Sequence, residues 1–203
     1  MTQRIVLATR NDHKVGELRG ILADILGELD LEIVGLSEFP DAPDVIEDGV
    51  TFAENATLKA RAAAVATGLP ALADDSGLAV DVLGGAPGIF SARWAGRHGD
   101  DRANYELLLA QMSDVRDEHR GAGFVCAAVL VLPDGRVLVE EGQFRGTLAR
   151  GARGANGFGY DPILLLADGR TAAELSPEEK NAMSHRGNAF RALSERFRDV
   201  FRT

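Results

Sequence analysis

Hydrophobic positions along the chain come in short runs whose spacing alternates between strand-like and helix-like. "RIVLAT" (4–9) is an apolar run of strand length, and after it Val15, Leu18, Leu22, Ile25 and Leu26 fall at helical spacing. Asn11 or Asp12 is placed to cap that helix, and "LEIVGL" (31–36) reads as a second strand. The polar, proline-bearing stretch "LSEFPDAPDVIEDG" (36–49) is long enough for a loop with a function. Residues 51–68 predict a helix, with Thr51 and Glu54 at capping-box spacing and Gly68 as its stop. "PALADD" (70–75) predicts a third strand and "GLAVDVL" (77–83) a fourth. An irregular loop (84–96) precedes a helix over 100–112, and strands at 122–132 and 136–148 are joined by "PDG", a turn signature. A Gly-rich loop (150–162) leads to the strand "ILLL". Ser176, Pro177 and Glu179 then open a helix that "SHRG" (184–187) breaks, and Phe190, Leu193 and Phe197 mark a last helix. The pattern predicts an α/β fold with a mixed twisted sheet and flanking helices.

Composition narrows the class. A chain of 203 residues with 45% hydrophobic residues can bury a sizeable core as one ordinary domain, here taken as 1–203. The net charge is −9 and Lys and Arg are scattered, which argues against a general nucleic-acid binder. Cys126 is the single cysteine and sits in an apolar run, so it reads as a buried core thiol. The N-terminus has no basic region followed by an apolar stretch, and no window approaches 18 apolar residues. The expectation is a cytoplasmic protein without membrane contact.

Within that frame, "ADDSG" places Asp74 and Asp75 together at the end of a buried-looking strand. Strand neighbours point to opposite faces, so one carboxylate is expected in a cleft and the other in the turn or on the far side. Either could instead cap the turn through its own backbone. A hard cation would compensate a carboxylate in such apolar surroundings, since Mg²⁺ takes one or two carboxylates plus substrate phosphates. Asn55 and Lys59 stand i and i+4 on one helix face, and the alanines around Lys59 suit close packing. Glu54 is already explained by the cap. "TRNDHK" (9–14) is a strand-to-helix turn whose amides favour an anion. In "GFGYDP" the glycines allow close backbone approach, while Phe158 and Tyr160 offer rings for stacking beside Asp161. His185 and Arg186 adjoin the helix break, either as a surface junction or as ligand donors.

Taken together, "TRNDHK", "GVTFAENATLKA", "ADDSGLAVDVLGGAPGIFSARW", "GFGYDP" and "AAELSPEEKNAMSHRG", in this order, resemble the inosine triphosphate pyrophosphatase family over nearly the whole chain. The resemblance implies Mg²⁺-dependent hydrolysis of ITP, dITP and XTP to the monophosphate and pyrophosphate. It also implies a homodimer of elongated α/β subunits, each with a substrate cleft between two lobes. By motif match, Thr9, Arg10, Asn11, Asp12, His13 and Lys14 would hold the triphosphate. Asp75 would be the catalytic carboxylate and a metal ligand, with Glu47 the second ligand and Lys59 and Lys14 offsetting charge on the leaving group. Ser76 would touch substrate, while Phe158, Gly159, Tyr160, Asp161, Lys180, His185 and Arg186 would form the nucleoside and base pocket. Asp74 is expected to orient Asp75 or a bound water.

Base choice has a physical account in the same terms. Hypoxanthine and xanthine present O6 as an acceptor where adenine presents an amino donor, so donors from His185 and Arg186 would favour the oxo bases. Guanine shares O6, so it must be rejected at C2, where a donor can donate to xanthine's O2 and opposes guanine's amino group; such mismatches discriminate by as much as about 10⁴-fold. The competing readings are a pyrophosphatase for another damaged nucleotide, such as a modified pyrimidine triphosphate, and a nucleotide sensor without turnover.

Overall fold

The computed structural model describes residues 2–201. They divide into two compact units: one holds the chain up to Asp75, Cys126–Gly142 and the residues from Arg186 onward, the other Ser76–Val125 and Gln143–His185. Six strands, β1 (Gln3–Leu7), β2 (Leu31–Gly35), β3 (Ala71–Val80), β4 (Gly121–Val131), β5 (Val137–Leu148) and β6 (Leu164–Leu165), form one sheet in the order β2-β1-β3-β4-β5-β6. β1 runs parallel to β2 and β3, while β6 is antiparallel to β5, so the sheet is mixed as expected.

Two strand predictions change. The segments read as a third and a fourth strand are one continuous strand, β3, with Ser76 and Gly77 inside it. Asp-Ser-Gly is a turn signal locally, but ladder pairing and burial along β3 override it. "ILLL" shrinks to two residues because Asp161–Ile163 forms a 3₁₀ turn.

In the first unit the period of two along the strands sorts the core into two layers. Ile5, Leu7, Ile33 and Leu72 pack with Val15 and Leu18 of α1 (Asp12–Ile21) and with Phe190, Leu193 and Phe197. Val6, Val34, Ala71 and Ala73 pack with Ala56, Ala60, Ala63 and Ala64 of α3 (Phe52–Thr67). The alanines explain the close seating of α3: Ala56 and Ala60 are completely buried, and forcing extra methylenes into such a seam costs about 1–3 kcal/mol. Thr51 caps α3 by accepting from the Glu54 N–H, and Gly68 ends it in the left-handed region at φ 70°. The Glu54 carboxylate accepts from Val50 N–H rather than from Thr51, so the expected capping box is shifted by one residue on that side. The helix after "TRNDHK" is interrupted at Leu22, with α2 covering Ala23–Glu28.

The second unit gathers Leu78, Val80, Phe124, Phe144 and Ile163 around Leu108 and Met112, at the end of α4 (Asp101–Gln111). Arg120 is buried there, its guanidinium satisfied by the carbonyls of Met112, Leu148 and Ala149. Ser176 caps α5 (Pro177–Met183) with a full capping box, and Ser184 alone separates it from α6 (His185–Glu195). α7 (Phe197–Phe201) follows, so the expected last helix is two segments. Among the described residues no helix is long and apolar enough to cross a membrane.

Candidate active site

Strand parity separates the two adjacent aspartates. Asp75 has the parity of Ala73 and meets α3: Lys59 Nζ lies 3.3 Å from its Oδ1, and Asn55 donates to its Oδ2 at 3.3 Å. Lys59 Nζ also lies 3.2 Å from Glu47 Oε2. A helical lysine is ordinarily solvated, but this one is only 18% exposed and sits between two carboxylates. Burial pushes the Asp75 carboxyl above its ordinary value, and the Glu47 charge adds to that, against the opposing pull of Lys59 and Asn55.

Asp74 has the parity of Leu72 and turns away from Asp75's partners. Arg186 holds it with Nη2 at 2.6 Å and Nε at 3.2 Å, and Arg186 Nη1 lies 3.0 Å from Glu17 Oε2. Burial alone would raise the Asp74 carboxyl; the positive charges of Arg186, Lys14 and Lys59 outweigh it and hold the group below its ordinary value. Asp74 is thus the buried counter-ion of Arg186, and the Arg186 guanidinium is shared between Asp74 and Glu17 within the first unit.

Most of "TRNDHK" builds its own turn. Asn11 caps α1 by accepting from His13 N–H at 3.0 Å, and Thr9 Oγ1 accepts from Asn11 N–H at 3.2 Å. Asp12 accepts from the Ser37 hydroxyl at 3.0 Å, and Arg10 donates to Ala42 O at 2.6 Å. Arg10 thus ties the turn to the loop that carries Glu47. Thr9, Arg10, Asp44, Glu47 and Lys59 line one cavity of the first unit, while the side chains of His13 and Lys14 are solvent-exposed.

The second unit holds a separate pocket lined by Ser76, Asp101, Phe124, Phe158, Gly159, Tyr160, Asp161, Lys180 and His185. Asp161 is 1% exposed. It pairs with Lys180 and accepts from Phe158 N–H at 2.8 Å, which fixes the glycine-rich loop. Gly157 makes this possible: at φ +77°, a Cβ there would lie 2.1 Å from Asp161 Oδ2. Lys180 Nζ stands 4.8 Å from the centroid of the Phe158 ring, and His185 stacks on Phe124 at 5.1 Å. The two aromatics expected to stack on a base differ. The Phe158 ring is 75% exposed, whereas Tyr160 is buried with its hydroxyl on Ser91 O at 2.8 Å. Burial and the Asp101 charge push the Tyr160 hydroxyl up, so it stays protonated.

Sequence reading missed Glu17, Phe124 and Asp101. Nothing in their spacing marks them, since each is defined by a partner far along the chain: Arg186, His185, and the Gly159 N–H that Asp101 accepts at 2.7 Å.

No cluster of three or more His, Cys, Asp or Glu suited to a metal occurs among the described residues. Glu47 and Asp75 nevertheless converge on one cationic group, and two carboxylates are the donor set Mg²⁺ uses when phosphates supply further ligands. The residues present therefore fit that ion.

The Ham1 family model matches residues 5–196. The chain belongs to the Ham1 family. Its Ham1 relatives include a dITP/XTP pyrophosphatase of Streptomyces avermitilis, 67% identical over 94% of both chains. A Ham1 protein of Coxiella burnetii matches in structure with a TM-score of 0.88 at 44% identity, covering 97% of this chain and 99% of that one. The nucleoside-triphosphatase / dITP/XTP pyrophosphatase of Mycobacterium abscessus superposes with a TM-score of 0.80 at 53% identity, covering 94% and 98%. The Ham1 assignment agrees with the family read from the ordered motifs.

Proposed function

We propose that this Ham1-family protein hydrolyses non-standard purine nucleoside triphosphates, namely dITP, ITP and XTP, to the monophosphate and pyrophosphate. The observation that carries this reading is the Glu47–Lys59–Asp75 cluster, supported by the names of the relatives. The phosphate chain is assigned to the first unit, between the "TRNDHK" turn and this cluster. The purine is assigned to the second-unit pocket.

In this reading Glu47 and Asp75 would hold Mg²⁺, which when bound neutralises phosphate charge. Asp75, its carboxyl raised by burial, is suited to take the proton of the attacking water. The water oxygen bonds to the α-phosphorus as the bridging bond to the β-phosphate breaks. Lys59 and the exposed Lys14 offset charge on the departing pyrophosphate. Among the residues lining the second-unit pocket, His185 and Lys180 are assigned as donors to the purine's oxo groups. A homodimer, as the family resemblance implies, and a cytoplasmic location are part of the same proposal.

Two measurements test this. ITP should give IMP and pyrophosphate in equal amounts; IDP and orthophosphate as primary products would place attack at the γ-phosphorus and overturn the reading. Phe158→Ala should raise KM for ITP while kcat and thermal stability stay near wild type. Base–aromatic stacking contributes roughly 1–3 kcal/mol, hence a rise of about 5- to 150-fold. An unchanged KM would remove Phe158 from the base site.

A further inference from the structure

We infer that Asn55 is a positioning residue whose neutral amide keeps Glu47 and Asp75 in register while cations exchange between them; the inference rests on the function proposed above. Asn55 is only 4% exposed, and each end of its amide has a partner of the opposite kind. Its Oδ1 accepts from Gly49 N–H at 2.9 Å, and its Nδ2 donates to Asp75 Oδ2 at 3.3 Å. A backbone N–H can only donate and a carboxylate only accepts, so the amide orientation is fixed by its surroundings.

Gly49 stands two residues after Glu47, in a loop without regular structure over residues 41–49. Behind Glu47 that loop is anchored by Asn55 at Gly49 and by Glu54 at Val50. Lys59, one helical turn after Asn55, is the other link between Glu47 and Asp75. The Lys59 link is ionic, so any cation taken up by the two carboxylates competes with it. Asn55 brings no charge of its own to its link and uses a different oxygen of Asp75. The link therefore persists whichever cation the carboxylates hold. Gly49 fits this role from the other side, because a Cβ there would lie 2.7 Å from Asn55 Oδ1.

The test uses the full chain, with amide hydrogen exchange at position 49 measured without metal or nucleotide, and kcat and KM for dITP at saturating Mg²⁺. Asn55→Ala should speed exchange at position 49 by about tenfold or more while the Ala60 and Ala63 amides stay protected. It should also lower kcat by about 10- to 100-fold, with a smaller change in KM, as expected for loss of a charge-assisted hydrogen bond. Asn55→Asp keeps an acceptor for Gly49 N–H but loses the donor to Asp75, so exchange should stay slow while kcat still falls. Gly49→Ala should give fast exchange and low kcat with Asn55 intact. Slow exchange in Asn55→Ala, or fast exchange with full kcat, overturns the inference. If Asn55→Ala does not fold, wild-type kcat in both other variants overturns it equally. A wild-type protein that releases no pyrophosphate from dITP removes the function proposed, whereas the exchange pattern still reports on the Asn55 link by itself.

Discussion

Asp75→Asn is expected to lower turnover of dITP by at least about 10²-fold, the loss typical of an essential base or ligand, with no loss of thermal stability. The reason lies in its surroundings. Burial and the neighbouring Glu47 hold the Asp75 carboxyl above its ordinary value. A raised carboxyl means that the ionised form is less favourable in the folded chain than in the unfolded one, so at neutral pH removing the charge offsets the mismatch that the new NH2 group meets at the donor of Asn55 or Lys59. Lys59 keeps Glu47 as a partner in the variant. A carboxylate required for chemistry and disfavoured by the fold is the combination found at functional sites. Wild-type turnover in Asp75→Asn at saturating Mg²⁺ would remove the assignment.

The second large effect falls on stability. Arg186→Met removes the guanidinium from Asp74, whose side chain is 10% exposed, and leaves a buried charge without its main partner. Breaking such a pair costs about 3–5 kcal/mol. For a domain of this size that lowers Tm by roughly 6–20 °C. Adding Asp74→Asn should restore part of the loss, because the orphaned charge is then gone. The sign with pH follows from the lowered Asp74 carboxyl. A group held below its unfolded value contributes stability above that value, 3.8, and the contribution is lost as pH falls through the folded value. The gap between wild type and Arg186→Met, measured by thermal melts, should therefore be full near neutrality and close in acid. If Arg186→Met instead melts like wild type and loses its preference for ITP over ATP, Arg186 reads the base as its motif position implies.

The Asp74–Arg186 pair also shows where reading the sequence stops. Motif order identifies Asp75, Lys59 and Glu47 as members of one site, and strand parity alone separates Asp74 from Asp75. Parity gives the direction of a side chain, however, and not what waits there. The partner of Asp74 lies 112 positions away and is brought to it by the packing of α6 against the sheet.

Local signals served well where the physics is local. Thr51 and Gly68 bound α3, Ser176 and Pro177 open α5, and the i, i+4 spacing of Asn55 and Lys59 puts both on one face toward Asp75, because caps and helical periodicity act within a few residues. They failed at Ser76 and Gly77, where pairing with neighbouring strands outweighs a turn preference worth less than a ladder. They also failed to separate Phe158 from Tyr160. The two rings share a motif, yet one is exposed and the other fills the second-unit core, and burial depends on residues such as Ser91 that the motif does not contain. The sequence by itself determined the fold class and the family, and its helical spacing put Asn55 and Lys59 on one face. Only the tertiary structure decided which charges neutralise one another, because an ion pair is set by distance in space and by the water that burial removes.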